Sequence, residues 1–165
     1  MNKISLIAAS YVGQKEISGN KGFVNKDFNA KMEGVGFYVG APWCGFFTQL
    51  VWKEAGQSLA LLSSSSKSVI DKAAKSGNWH AKPVAGAVVV WAMFKNGRRQ
   101  WQGHLGVVTE VSENGVDYTS IEGNTTDKGG REGIMVAVRN RQLTDDKWKT
   151  ENGLRLMGFV YPENI

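Results

Sequence analysis

Four residues have the types that a cysteine nucleophile system uses: Cys44, His104, Glu122 and Asn124. Cys44 is the only cysteine, and it lies within Ala41-Pro42-Trp43-Cys44-Gly45-Phe46-Phe47-Thr48-Gln49-Leu50-Val51-Trp52-Lys53-Glu54-Ala55-Gly56. Phe46, Phe47, Leu50 and Val51 recur at the three- and four-residue steps of one helix face. Pro42 suits a first helical turn, where its missing N–H costs nothing. Gly56 is placed to end the helix in a left-handed conformation. Cys44 therefore belongs in, or just before, the first turn. Free backbone N–H groups and the positive end of the helix dipole lie there, and both favour a thiolate. The plain alternative is a small buried hydrophobe, and this stretch alone does not choose between the two.

The imidazole and the carboxylate fall on strand-like segments. In His104-Leu105-Gly106-Val107-Val108-Thr109-Glu110-Val111 the side chains alternate between faces. Leu105, Val107, Thr109 and Val111 share one face; His104, Gly106 and Val108 share the other. The glycine leaves open space beside the histidine ring. Further on, Ser120-Ile121-Glu122-Gly123-Asn124-Thr125 puts Glu122 and Asn124 on one face. The intervening turn decides whether that face is the one carrying His104. A two-residue Asn114-Gly115 turn would pair Glu113 with Val116 and set Glu122 opposite Val107. A three-residue loop, Glu113-Asn114-Gly115, would pair Ser112 with Val116. It would put Glu122 opposite Gly106 and Asn124 opposite His104, with Gly115 in the left-handed position this loop requires. The three-residue loop is the expectation. If the Cys44 helix packs across that face, imidazole, carboxylate, carboxamide and thiol meet.

The elements that must position these groups follow from the rest of the pattern. A chain of 165 residues with 42% hydrophobic content fits one globular domain, residues 1–165, with a real core. One cysteine excludes an internal disulfide, and two histidines far apart make no zinc motif. The formal charge of +5 attracts anionic partners. Basic residues are scattered, however, with no aromatic-interleaved patch, so nucleic-acid binding is not expected. Ile4, Ile7, Tyr11 and Val12 would share a face of a first helix that continues through Glu16, rather than an export signal. No stretch is long enough to span a membrane.

A short helix is expected over Phe23 to Lys31, with Phe23 and Phe28 as anchors. Gly34, Gly36 and Gly40 make the approach to Cys44 a glycine-rich loop. Ser63-Ser64-Ser65-Ser66 reads as a solvated linker with an N-cap. A short helix over Val69, Ile70, Ala73 and Ala74 follows and ends at Gly77. From Pro83 the period becomes strand-like, with strands at Ala87–Trp91, His104–Val111, Val116–Ile121, Gly133–Arg139 and Leu156–Tyr161. Helices followed by consecutive strands predict an α+β fold, N-terminal helices packed on an antiparallel sheet of about five strands.

Taken together, Trp43-Cys44-Gly45-Phe46-Phe47, Pro83 to Trp91, Gly103-His104-Leu105-Gly106-Val107-Val108 and Ile121-Glu122-Gly123-Asn124-Thr125 resemble the CHAP domains of the NlpC/P60-type peptidoglycan hydrolases, which have a papain-like fold. The resemblance implies a cysteine peptidase or amidase acting on the peptide part of bacterial cell wall. Cys44 would be its nucleophile, His104 its base and acid, and Glu122 or Asn124 its third member. The Cys44 backbone N–H would be an oxyanion donor. Trp43 and Trp79 would line the groove, Trp91 reads as core, and His80 as a surface residue. Ala87 stands where the family often has aspartate. Lys31-Met32-Glu33-Gly34-Val35-Gly36 lacks the acid series of a calcium loop, so no metal or other cofactor is expected. A chain read as signal-free and without a wall anchor fits two settings. One is a phage lysis enzyme; the other is an antibacterial effector delivered by a secretion system and matched by an immunity partner that plugs the groove. A non-catalytic binding module on this fold, or a cysteine amidase with a non-wall substrate, are the competing readings.

Overall fold

A computed structural model describes residues 1–125, 134–143 and 151–163. Four helices precede five strands: α1 Lys3–Ser10, α2 Lys26–Glu33, α3 Cys44–Ala55, α4 Ser66–Ser76, then β1 Val88–Lys95, β2 Arg98–Val111, β3 Asp117–Thr125, β4 Met135–Gln142 and β5 Gly153–Val160. The strands form one antiparallel sheet in the order β4-β3-β2-β1-β5. This is the expected α+β architecture. Gly133, the expected start of the fourth strand, lies outside the described residues.

Helix boundaries follow local chemistry. The side chains of Asn2, Asn25 and Ser65 accept hydrogen bonds from the N–H groups of Ser5, Phe28 and Ser68, capping α1, α2 and α4. Gly56 and Gly77, at φ 82° and 79°, end α3 and α4. Two expectations need correction. α1 stops at Ser10 rather than running through Glu16, because Gly13 takes φ 91° and Lys15 and Glu16 enter β-bridges with Met135 and Phe23. Val12 is accordingly exposed rather than packed. Pro42 lies outside α3, whose N-cap is Trp43.

The helices cover one face of the sheet. Phe47, Leu50 and Val51 of α3 join Ile4, Phe28, Val69, Val88, Val90, Leu105, Val107 and Ile121 in one apolar cluster. On the opposite, back face, Val89, Trp91, Val108, Tyr118, Leu156 and Phe159 form a second. Burial of these apolar faces drives the assembly at roughly 25 cal/mol per Å².

The β2–β3 connection departs from the expected three-residue loop. Near the turn Val111 pairs with Tyr118 and Glu110 with Thr119, and Ser112 N–H donates to Asp117 O at 2.9 Å. That register is the one a two-residue turn would give. Thr109 then bulges out of β2, and pairing resumes as Val108–Ser120 and Val107–Ile121. The bulge supplies the one-residue step assigned to the loop. Its carbonyl accepts from Ser5 Oγ of α1 at 3.1 Å, and its hydroxyl donates to Thr119 O at 3.3 Å. The step also turns Val111 to the back face, where it packs on the second cluster instead of sharing a face with Val107. Beyond Val107–Ile121, β2 and β3 no longer pair.

α3 sits tightly on the sheet at this parting. A methyl group at Gly123 would lie 2.6 Å from Trp43 Cζ3 and 2.9 Å from Phe47 Cβ. Gly123→Ala is therefore expected to lower stability by about 1–3 kcal/mol through overpacking. A lowered urea midpoint checks this; an unchanged midpoint contradicts the close seating of α3.

Candidate active site

Cys44 is the first residue of α3, and its neighbour on the chain, Trp43, offers no side-chain cap. The first turn therefore keeps unpaired N–H groups beside the thiol. α3 packs on the Leu105 and Val107 face, whereas His104, on the opposite parity, stands on the back-face side with Trp91 at a ring separation of 5.5 Å. The helix thus does not cross the face that carries His104, the condition under which the sequence alone would bring thiol and imidazole together. Thiol and imidazole meet instead where β2 and β3 part, with the Leu105 N–H also directed at the sulfur.

His104 Nε2 lies 2.7 Å from Glu122 Oε2, and both side chains are buried. The other ring nitrogen, Nδ1, is buried with no partner in full hydrogen-bonding geometry. The Cys44 thiol is nevertheless close enough for the two groups to shift each other's protonation. We read this as close approach without a formed bond. Burial pushes the thiol up, but the His104 imidazole and the N–H groups of Leu105 and Gly45 outweigh it and hold the thiol below its usual value. Burial likewise pushes His104 down, but Cys44 and Glu122 outweigh it and raise the imidazole to about 9. The two shifts run in the directions that favour a thiolate–imidazolium pair over the neutral pair.

Glu122 occupies space that only glycine leaves. A methyl group at Gly106 would lie 2.6 Å from Glu122 Cγ. All four acceptor positions of the carboxylate are filled. Oε1 accepts from Ser120 Oγ at 2.6 Å and Arg141 Nε at 2.9 Å; Oε2 accepts from Arg141 Nη2 at 2.7 Å and faces His104. Burial raises this carboxyl, but His104 and Arg141 together hold it down at about 2. Asn124 is also buried, with φ 53°, yet its side chain makes no hydrogen bond to His104 or Glu122. The partner of the imidazole is thus the carboxylate.

The two tryptophans expected in a groove are elsewhere. Trp43 is fully buried: its indole N–H donates to Glu16 Oε2 at 2.7 Å and its ring packs on Phe23. Trp79 is half-buried and covers Gly158 of β5. Neither lines the narrow cleft of about 130 Å³ that ends on Cys44. Its walls include Tyr38, Pro42, Ser65, Trp101 and Gly103. The serine run is therefore a wall of the cleft as well as a linker. Tyr38 and Trp101 are 67% and 62% exposed, an aromatic pair at the rim. His80 stacks on Tyr161, away from the thiol. Sequence reasoning passed over Trp101, Tyr38, Ser120 and Arg141. The signal for Trp101 was an aromatic residue alone in the polar run before Gly103. Ser120 shares the parity of Glu122, but Arg141 becomes visible only once β4 is paired with β3, opposite Tyr118. A larger open concavity of about 570 Å³ lies on the back face, lined partly by Arg141 and not by Cys44; we place the chemistry in the smaller cleft because it reaches the thiol. Among the described residues no cluster of three or more His, Cys, Asp or Glu could hold a metal, and no helix is long and apolar enough to cross a membrane.

The carboxylate makes a pH prediction. A carboxyl held below its ordinary value of 4.5 stabilises the fold above that pH, and the contribution is lost as pH falls through about 2. Glu122→Gln is therefore expected to be about 3–5 kcal/mol less stable than the parent at pH 7, since it removes the buried anion that Arg141 and His104 face. That gap should close on acidification below 4.5. Urea denaturation at a series of pH values checks this, and a gap independent of pH contradicts it.

The family model described as the CHAP domain matches residues 36–124, more than half of the chain and a span that takes in Cys44, His104, Glu122 and Asn124. Among solved structures, the crystal structure of N-acetylmuramoyl-L-alanine amidase from Staphylococcus aureus is similar over 76% of this chain at 19% sequence identity, with a TM-score of 0.47. That similarity spans 32% of the staphylococcal chain, about a third of its length. None of the curated proteins compared matches the chain. With its family-model match extending over more than half of its length, from before Cys44 at the start of α3 to Asn124 on β3, the chain belongs to the CHAP domain family.

Proposed function

We propose that the protein is a peptidoglycan hydrolase that cleaves an amide bond in bacterial cell-wall peptide, as an endopeptidase or an N-acetylmuramoyl-L-alanine amidase. The observation that carries this reading is the ordered series of thiol, imidazole and buried carboxylate at the end of a solvent-open cleft. CHAP family membership supports it. The positive net charge suits a substrate embedded in anionic wall polymers. In this reading the enzyme reaches the wall by a secretion system or at lysis.

Catalysis would proceed in two stages. The Cys44 thiolate attacks the scissile carbonyl carbon, and a C–S bond forms. The oxyanion is met by the Cys44 backbone N–H at the start of α3. Protonated His104 gives its proton to the leaving amine as the C–N bond breaks. Neutral His104 then takes a proton from water, which attacks the thioester. The acid product leaves and the thiolate–imidazolium pair is restored. Glu122, saturated with donors, orients the ring and stabilises its positive form without accepting the proton itself.

The cleft is well below the usual 300–1,000 Å³ of ligand pockets, so it admits a slim extended peptide and not a bulky side chain. Tyr38 and Trp101 stand where residues flanking the scissile bond would pass. Cys44→Ala is expected to lower release of soluble wall fragments by at least about a thousandfold with the fold intact, and His104→Ala should act alike. Trp101→Ala is expected to raise KM roughly five- to thirtyfold with kcat little changed, as for a lost contact of about 1–2 kcal/mol. Turbidity loss of purified wall suspensions measures both. Retained hydrolysis by Cys44→Ala would remove the nucleophile, and an unchanged KM in Trp101→Ala would remove the rim from the binding surface.

A further inference from the structure

Arg141 lies on β4, outside the span matched by the family model, and approaches the site from the face of the sheet opposite α3. Its Nε and Nη2 grip the two oxygens of Glu122 at 2.9 and 2.7 Å, a fork-to-fork pair. The guanidinium also lies over the Trp91 ring at 4.7 Å, and that same ring packs beside His104. Trp91 thus acts as a common floor for the cation and the imidazole. Ser120 Oγ completes the set from the position two residues before Glu122.

A buried carboxylate beside an imidazole has two ways to exist. It can remain an anion and stabilise imidazolium, or it can take the ring proton and leave both groups neutral. The second state would withdraw the positive charge that a thiolate needs. A bidentate cation excludes it, because guanidinium has no acceptor and would face a protonated oxygen.

We propose that Arg141 is a positioning residue for the reaction: by holding both oxygens of Glu122 it keeps that carboxylate anionic and aimed at His104, and so sustains the thiolate at Cys44. The proposal rests on the reading of Cys44 as nucleophile. Arg141 lines no part of the cleft that leads to the thiol, and its hydrogen-bonded route to the site runs through Glu122 to His104. A residue that only braced the sheet would leave the protonation of the thiol unchanged.

The test is the rate at which iodoacetamide alkylates Cys44, followed from pH 4 to pH 10, a measurement that needs no wall substrate. It is made on the parent chain, Arg141→Lys, Arg141→Met, Glu122→Gln and the double variant Arg141→Met/Glu122→Gln, with circular dichroism as the check on folding. The parent is expected to react well below neutral pH. Arg141→Met should move the midpoint up by about one pH unit or more, roughly tenfold slower alkylation on the acid side. Arg141→Lys, which keeps the charge and loses the fork, should fall between them. In the Glu122→Gln background the Arg141 change should have little further effect, since it acts through the missing carboxylate. A folded Arg141→Met with the parent's profile, or an undiminished effect in the Glu122→Gln background, would overturn the proposal. So would failure of both Arg141 variants to fold, because the clamp would then be structural. A parent that alkylates only like an ordinary buried thiol would instead remove the nucleophile reading beneath it.

Discussion

A carboxylate with no access to water is the constraint around which this molecule is arranged. Glu122 is completely buried, and an isolated ionised group there would be expelled or neutralised. Here two cationic partners and a hydroxyl occupy its acceptor sites, and a glycine on the neighbouring strand leaves the volume it needs. The charge therefore persists in a low-dielectric setting, where its influence on His104 is strong. His104 in turn presents its free nitrogen to the thiol. The reactivity assigned to Cys44 descends from that one buried anion.

The fold serves this geometry from several sides. The Thr109 bulge steps the register so that Glu122 meets Gly106, and Ser5 of α1 holds the bulge carbonyl. Parting of β2 from β3 beyond Val107 and Ile121 opens the sheet where the start of α3 must deliver the thiol. Gly123 and Gly45 let α3 press against β3 on one side and the Ser63–Ser64 backbone on the other. The cost of these close approaches is intolerance: each glycine sits where an added methyl meets backbone or a packed ring. The cleft that remains is narrow but reaches the sulfur, so the thiol is not sealed among aliphatic groups.

Much of this was legible in the linear pattern, and the failures have physical causes. The α3 face of Phe46, Phe47, Leu50 and Val51, the ends at Gly56 and Gly77, and the change of period near Pro83 all reflect local preferences that tertiary contacts reinforce. The alternation also sets Glu122 beside Gly106, as the structure does, but the device is a bulge and not the loop. Loop chemistry around Asn114-Gly115 says nothing about a bulge five residues upstream that depends on Ser5, a residue distant along the chain. Alternation alone could not show that α3 covers the opposite face, because strands that part let a side chain reach a partner that a flat sheet would hide. The family resemblance implies Trp43 as a groove residue. A residue preceding a helix start can as readily turn inward, and its indole found Glu16 there. Arg141 carried no local signal, since its meaning arises only from the register of two strands.

The central claim is that His104 is held in its charged form by what surrounds it. Nitrogen-15 NMR of the imidazoles measures this directly, and with only His80 and His104 in the chain the signals are readily told apart. The account predicts that both ring nitrogens of His104 carry protons at pH 7 and that the ring loses one near pH 9. A His104 ring that is neutral at pH 7 and titrates near its ordinary 6.5 would contradict it.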